Sequence, residues 1–415
     1  MSLYAFYLLL SLIHTSHIHL SDSVTVSYSL LYKNVSESNR RARVSTDHLF
    51  CLQPASGTLS TYGGFGNLMM GVNAVQALAL VSGSIPVINH AMFLAMFSHP
   101  NPKESYDVFK PSQIRLGSVR RIYCQSSKFF RSKLSKLGRS GVNVLCNKDA
   151  YMHRESIAFF STALSISPTD ARYYDMASSS VAHWMLSNPT AYFESIVRRH
   201  RDKVLHRCGG TQSRLDVAVQ IRTWADVPER REQFFTQIPC VMRCIMNLVR
   251  FVASGKGVHI DTYDPDSGEA PLCIFVTTDN STVTNDIVEY LEGISTAIRA
   301  TSSTSISPEY LNFTAPRTHV SHWHSAHTIK SSQHEFSASE LDSHIELLDW
   351  MLVGEASAAL YTKRSTYART ARMRLGYDHQ QDDFIFDVVD ANPCECKPVR
   401  PVSGDIKHSV VGVLL

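Results

Sequence analysis

The second half of this chain alternates apolar runs with amphipathic ones, and that alternation limits the fold more than any other feature of the sequence. The first run, Val217-Ala218-Val219-Gln220-Ile221, is mostly β-branched and apolar with one polar interruption, which predicts a short buried strand. A cation, Arg222, comes as the strand runs out, followed by a loop carrying Asp226, Glu229, Arg230 and Arg231. From Ile238 to Ala253 the residues Ile238, Val241, Ile245, Leu248 and Val252 recur at three- and four-residue intervals, one face of a helix that Gly255 and Gly257 end. Cys273-Ile274-Phe275-Val276-Thr277-Thr278 reads as a second buried strand, with Asp279 and Asn280 just past it and a helix over about 283–298 next. Strands and helices in this order predict a doubly wound sheet, whose ligands bind at the carboxyl ends of its strands.

The segment from Ser339 to Gly376 continues the pattern. Ser343-His344-Ile345-Glu346 matches a capping box and opens a helix with Ile345, Leu348 and Leu352 inward; Ala356 to Tyr361 reads as a strand. Lys363-Arg364-Ser365-Thr366-Tyr367 then opens a helix that stops at Gly376. Small hydroxyl residues at a helix N-terminus beside two cations suit an anion, because orphan N–H groups, dipole and charge act together. Arg222, at the end of its strand, offers a planar fork of donors suited to phosphate.

In the first half, Gly63-Gly64-Phe65-Gly66-Asn67 feeds a helix through Val81, with Leu68, Val72, Val75 and Leu78 on one face. Gly83 is placed for a helix C-cap, and Ile85-Pro86-Val87-Ile88 reads as a strand. The glycines do not make the dinucleotide fingerprint, since Met69 stands where its third glycine belongs. From 90 to 150 the chain reads as irregular and basic, a solvated face with Arg120, Arg121, Lys128, Arg131, Lys133, Lys136 and Arg139. Helices are expected over 157–164, 176–186 and 191–205, broken by Asn188-Pro189, and Arg207-Cys208-Gly209-Gly210 marks a domain boundary.

A length of 415 residues favours two domains, and 40 basic against 37 acidic residues is too even a balance to argue for nucleic acid. Leu3 to Ile13 is a nearly apolar run, too short to span a bilayer and of the length of a signal-sequence core, although no basic residue precedes it. It reads as a signal sequence or an anchor. Nine cysteines leave at least one unpaired within the chain; Cys240, Cys244 and Cys273 read as core thiols, and Cys394-Glu395-Cys396 as paired ends tied elsewhere. Three sequons, at Asn34, Asn280 and Asn312, fit a luminal protein. His322-Trp323-His324-Ser325-Ala326-His327 contains no carboxylate and reads as a surface loop rather than a metal site.

Taken together, these segments resemble the fucosyltransferase superfamily of GT-B glycosyltransferases, in the style of its xyloglucan-type and protein O-fucosyltransferase-like branches. Gly63-Gly64-Phe65-Gly66-Asn67 is similar to the family's N-terminal G-x-G-N segment, and Val219-Gln220-Ile221-Arg222 to its H-x-R segment, which reads Q-x-R in the xyloglucan-type branch. Phe275 to Asp279, and the stretch from Ser343 to Tyr367, are similar to the strand ending in Ser/Thr-Asp and to the segment that closes on the nucleotide sugar. The likeness covers about 45–90 and 215–376; Leu68 and the Trp224-Ala225 pair depart from it.

The resemblance implies an α/β, GT-B-like fold with two Rossmann-like domains facing across a cleft. Residues 1–45 would be signal or anchor plus stem, 46–208 the acceptor-side domain, 209–390 the nucleotide-sugar domain and 391–415 a tail. It implies an inverting transfer of fucose from GDP-fucose to a glycan or glycoprotein hydroxyl, in the ER or Golgi lumen, without a metal or other cofactor. Arg222 would meet the charge that builds on the leaving diphosphate; Ser365, Thr366 and Tyr367 would lie against the donor, with Ser365 and Thr366 on phosphate oxygens. Asp279 would bond the nucleoside or orient the phosphate site, Gly64, Gly66 and Asn67 would face sugar and acceptor, and Asp226 is the candidate base. Two rivals stay open: a GT-B transferase with another nucleotide sugar, and a non-catalytic luminal protein of the same fold.

Overall fold

A computed structural model describes residues 49–53, 65–82, 85–88, 91–99, 119–123, 142–146, 171–209, 213–223, 228–264, 270–303, 345–363, 365–376, 378–380, 382–386 and 396–399. The chain divides into two units, Met1–Thr190 with His327–Phe336 and Gly376–Asp378, and Ala191–Ala326 with Ser337–Leu375 and His379–Leu415.

The first unit holds a parallel sheet of four strands, β1 (Leu49–Gln53), β2 (Ile85–Ile88), β3 (Val119–Tyr123) and β4 (Val142–Cys146), in the order β2-β1-β4-β3. Helix α1 (Phe65–Ser82) packs on β1, β2 and a later helix, α3 (Ala171–Leu186); α2 (Ala91–Met96) is a short piece between β2 and β3. The expected apolar stripe on α1 is wider than one face: Met69, Met70, Val72, Ala74, Val75 and Ala77 are all buried, as befits a helix covered on several sides. Its buried Asn73 reaches α3, the amide nitrogen donating to the carbonyl of Ser178 at 3.1 Å. The basic region between 90 and 150, expected to be irregular, supplies β3 and β4. Arg120 and Arg121 stand inside β3, held by pairing with Asn143 and Val144 rather than by any local apolar run. The Asn188-Pro189 break is real: Asn188 donates to the carbonyl of His99 at 3.2 Å, and Pro189 bridges to Phe97.

The second unit opens with α4 (Ala191–Arg207), ahead of the Arg207-Cys208-Gly209 turn. Its sheet has six strands in the order β10-β9-β8-β5-β6-β7. These are β5 (Val217–Ile221), β6 (Leu272–Thr278), β7 (Ile298–Thr301), β8 (Ala358–Thr362), β9 (Phe384–Phe386) and β10 (Cys396–Pro398). All pairs are parallel except β9 with β10.

Between the strands run α5 (Pro228–Thr236), α6 (Ile238–Lys256), α7 (Ser281–Ile294), α8 (Ile345–Glu355) and α9 (Thr366–Met373). The period of two in β5 divides the faces. Val217, Val219 and Ile221 enter a core with Val241, Ile245 and Leu248 of α6 and Val283, Ile287 and Leu291 of α7. Each such side chain removed from water contributes roughly 1.5–3 kcal/mol. On the other face Thr277 of β6 donates to Asp349 of α8 at 3.0 Å, so α8 covers that side.

Helix α6 ends as its glycines predict: Gly257 adopts a φ of 75°, and Val258 N–H reaches back to the carbonyl of Ala253 at 2.9 Å. The helix expected to run to 298 stops at Ile294, and Ile298–Thr301 is the edge strand β7 instead.

The three core thiols are corrected. Cys208 is disulfide-bonded to Cys273 and Cys244 to Cys396, with Cα separations of 5.3 and 5.8 Å, and Cys240 is disulfide-bonded as well. An apolar neighbourhood is common to free and bridged cysteines, so it cannot separate them. The expectation that Cys396 is tied elsewhere holds, and the bond clamps β10 to α6.

Gly354 lets α8 and α9 approach closely. A Cβ there would lie 2.8 Å from the carbonyl oxygen of Ala371 and 3.0 Å from the Arg374 guanidinium. Gly354→Ala is expected to destabilise the chain by about 1–3 kcal/mol through overpacking, read as a lower urea midpoint at unchanged slope.

Candidate active site

The sheet of the second unit reverses its winding between β5 and β8. From β5 the chain steps outward through β6 to β7, then returns to lay β8 on the other side of β5 and steps outward again to β9. In open α/β sheets such a switch point is where the carboxyl ends of two strands diverge and a ligand enters. Three predicted site segments fall there: Arg222 after β5, Asp279 after β6, and Ser365-Thr366 after β8.

Hydrogen bonds tie these segments to one another. The N–H of Arg222 donates to the hydroxyl of Thr362 at 3.0 Å, and the N–H of Thr223 donates to the Asp279 carboxylate at 2.6 Å. The N–H of Ser365 donates to the carbonyl of Thr362 at 2.8 Å. Ser365 is the N-cap of α9, its hydroxyl oxygen accepting from Ala368 N–H at 3.4 Å, with Thr366 as the first helical residue. The hydroxyl proton of Ser365 is not used in that cap, so it stays able to donate. The Arg222 side chain is half-buried.

Two buried polar atoms beside Arg222 have no hydrogen-bond partner among the described residues, the hydroxyl of Thr223 and the carboxamide oxygen of Gln220. Buried polar groups are paired in the great majority of cases, and the exceptions concentrate where a ligand or water completes the set.

Behind this edge lies a buried polar cluster that the sequence did not announce. Asp349 accepts from the hydroxyls of Ser303 and Thr277, and His200 stands 2.9 Å from the Ser303 hydroxyl by its Nε2. The cluster joins α4, the end of β6, the stretch just past β7 and α8.

Tyr367, expected against the donor, is engaged elsewhere: its hydroxyl donates to the carbonyl of Glu346 on α8. Burial raises its phenol well above the ordinary value, with Asp349 and Glu346 adding to the shift. Asn280, the sequon residue, caps α7, its side chain accepting from Thr282 N–H at 3.0 Å and Val283 N–H at 3.4 Å. In the first unit Gly66 is buried and Gly66 and Asn67 lie in the first turn of α1. Gly64, Asp226, Arg364 and the His322–His327 segment lie outside the described residues. Among the described residues no cluster of three His, Cys, Asp or Glu could hold a metal ion.

No protein-family model and no curated protein sequence matches the chain. Among solved structures it is similar to a mutant of Arabidopsis thaliana FUT1 in complex with GDP, at 11% identity over 88% of this chain and 78% of that one, with a TM-score of 0.51. The chain shares the fold of that GDP-bound protein. Weaker likenesses run to NodZ alpha-1,6-fucosyltransferase soaked with GDP-fucose, at 12% identity over 85% of this chain and 99% of that one with a TM-score of 0.41, and to POFUT1 in complex with GDP-fucose, at 11% over 80% and 95% with a TM-score of 0.38.

Of the residues the sequence missed, Thr362 repeats a visible pattern, a hydroxyl at the end of a strand as in Thr278 of β6. Thr223, Asp349 and His200 carry no such signal, since their roles depend on partners far along the chain.

Proposed function

We propose that the chain is an inverting, metal-independent fucosyltransferase that moves fucose from GDP-fucose to a hydroxyl of a glycan or glycoprotein. The observation that carries the reading is the meeting of Arg222, the Asp279-held loop and the N-terminus of α9 at one switch point. A diphosphate needs such a place: a cation with a planar fork, main-chain N–H groups and the positive end of a helix dipole.

In this reading the acceptor oxygen attacks the anomeric carbon from the face opposite the diphosphate, and the C–O bond to GDP breaks. Negative charge grows on the departing β-phosphate, and Arg222 stabilises it where water is excluded; a preorganised donor of this kind contributes about 3–4 kcal/mol. Ser365 and Thr366 hold phosphate oxygens. Asp279 acts through Thr223, orienting the loop that carries Arg222. Gly64, Gly66 and Asn67 serve the sugar and acceptor, and Asp226 is the candidate base for the acceptor proton. The disulfides of the second unit support an oxidising compartment such as the ER or Golgi lumen. The apolar run from Leu3 to Ile13 supports entry to it as a signal or membrane tether.

The test is calorimetric titration of the secreted chain with GDP, GDP-fucose and UDP, with and without EDTA. GDP and GDP-fucose are expected to bind equally well with the chelator present, and UDP at least roughly tenfold more weakly, about 1.4 kcal/mol. A folded chain that binds neither GDP nor GDP-fucose sinks the reading. One that prefers UDP changes the donor.

A further inference from the structure

The strand end that carries Arg222 has run beyond its ladder. Strand β5 pairs with β8 as far as Gln220↔Tyr361 and with β6 as far as Ile221↔Thr278, and the next two main-chain N–H groups lie past those pairs. Each is taken by a side chain from a flanking strand end: Arg222 N–H by the Thr362 hydroxyl, Thr223 N–H by the Asp279 carboxylate. Thr362 has a second task, because its carbonyl accepts the Ser365 N–H at 2.8 Å in the turn that opens α9. It is 1% exposed, so water does not replace either bond in place. A single buried residue therefore holds the main chain of the cation with its side chain, and the helix N-terminus with its main chain.

We propose that Thr362 is a positioning residue: its hydroxyl fixes Arg222 relative to the N-terminus of α9, so that cation and helix close on the same nucleoside diphosphate. The inference rests on the nucleotide reading above. Its physics is geometric. A diphosphate is gripped from two sides only if the two sides keep their spacing, and displacements of about 1 Å cost up to 10²-fold in such sites. Without the hydroxyl, the Arg222 N–H loses this acceptor at a part-buried strand end, and the main chain there shifts and carries the side chain with it. Asp279 secures only the following residue, so it cannot hold Arg222 to α9.

The experiment compares the full chain with Thr362→Val, which keeps the shape and loses the hydroxyl, and Thr362→Ser, which keeps the hydroxyl. Three quantities are read: thermal midpoint, GDP affinity by calorimetry, and amide hydrogen exchange at Arg222 against Val219. The valine variant is expected to bind GDP at least tenfold more weakly, about 1.4 kcal/mol, and the serine variant to bind within about twofold of the parent, both with midpoints near the parent's. Exchange at Arg222 should rise roughly tenfold in the valine variant alone while Val219 is unchanged. Parent-like GDP affinity in Thr362→Val overturns the inference, as does a loss that serine fails to restore. A parent that binds no GDP removes the nucleotide reading; exchange then decides, and an unchanged Arg222 rate in Thr362→Val overturns the positioning role. Thr362→Ala makes the same comparison if the valine variant does not fold.

Discussion

If the chain carries out the proposed transfer, Arg222→Ala is expected to lower kcat with GDP-fucose by roughly 10²–10³, the loss found when one preorganised donor is removed from a developing oxyanion. The residue follows directly on the central strand β5 and is half-buried, so its charge acts at a place where water screens poorly. Arg222→Lys should recover only part of the rate, because an ammonium is a point charge and lacks the fork that grips two oxygens. The check is initial-rate kinetics with GDP release as readout, alongside thermal unfolding to show that both variants are folded. A kcat within about threefold of the parent in the alanine variant would remove Arg222 from the mechanism.

Arg372→Met is expected to cost the fold about 3–5 kcal/mol, the range for breaking a buried ion pair from one side. Arg372 is fully buried in α9 and meets both carboxylate oxygens of Asp383 at 2.8 Å. It also donates to the carbonyls of Gly354 at 2.9 Å, Ala356 at 2.5 Å and His379 at 2.7 Å. Removing it takes these bonds from the carbonyls and leaves Asp383 buried without its cation. Against a typical stability of 5–15 kcal/mol that is a large share.

The pH dependence follows in sign. Burial already pushes the Asp383 carboxyl up from its ordinary value of 3.8, and Arg372 is the main force holding it down. Without Arg372 the folded-state value rises further above the unfolded one. The variant therefore loses stability as pH rises through that raised value and regains it on acidification toward pH 4. Urea titrations at neutral and mildly acid pH test both parts. A variant as stable as the parent at pH 7 would show that the hub is not structural. Arg372→Met with Asp383→Leu should recover part of the loss, since an apolar pair leaves no charge buried.

The local signals that served well were those of burial period. The strand at 217–221, the helix from Ile238, the strand ending at Thr278 and the N-cap at Ser365 stand where the sequence places them, because an apolar repeat or a capping hydroxyl acts over a few residues. Where structure depended on distant partners the sequence misled. The stretch around Arg120-Arg121 reads as irregular chain, yet it forms β3, paired with β4. Cys208 finds Cys273 across 65 residues and Cys244 finds Cys396 across 152, distances at which spacing carries no information. Arg372 reads as an ordinary helix cation, and only the arrival of Asp383 and three carbonyls makes it a core residue.

By itself the sequence determined the strands β5, β6 and β8 and the helices α6, α8 and α9, and which chemistry stands at their ends: a cation after β5, a carboxylate after β6, hydroxyls at the start of α9. The tertiary structure decided that these ends are neighbours. It laid β8 beside β5 rather than beyond β7, which puts the Thr362 hydroxyl 3.0 Å from a main-chain N–H that is 140 residues away in sequence. The physical reason is that element type answers to local propensity and burial period, whereas strand order answers to the pairing and coverage of whole faces, which no local stretch contains.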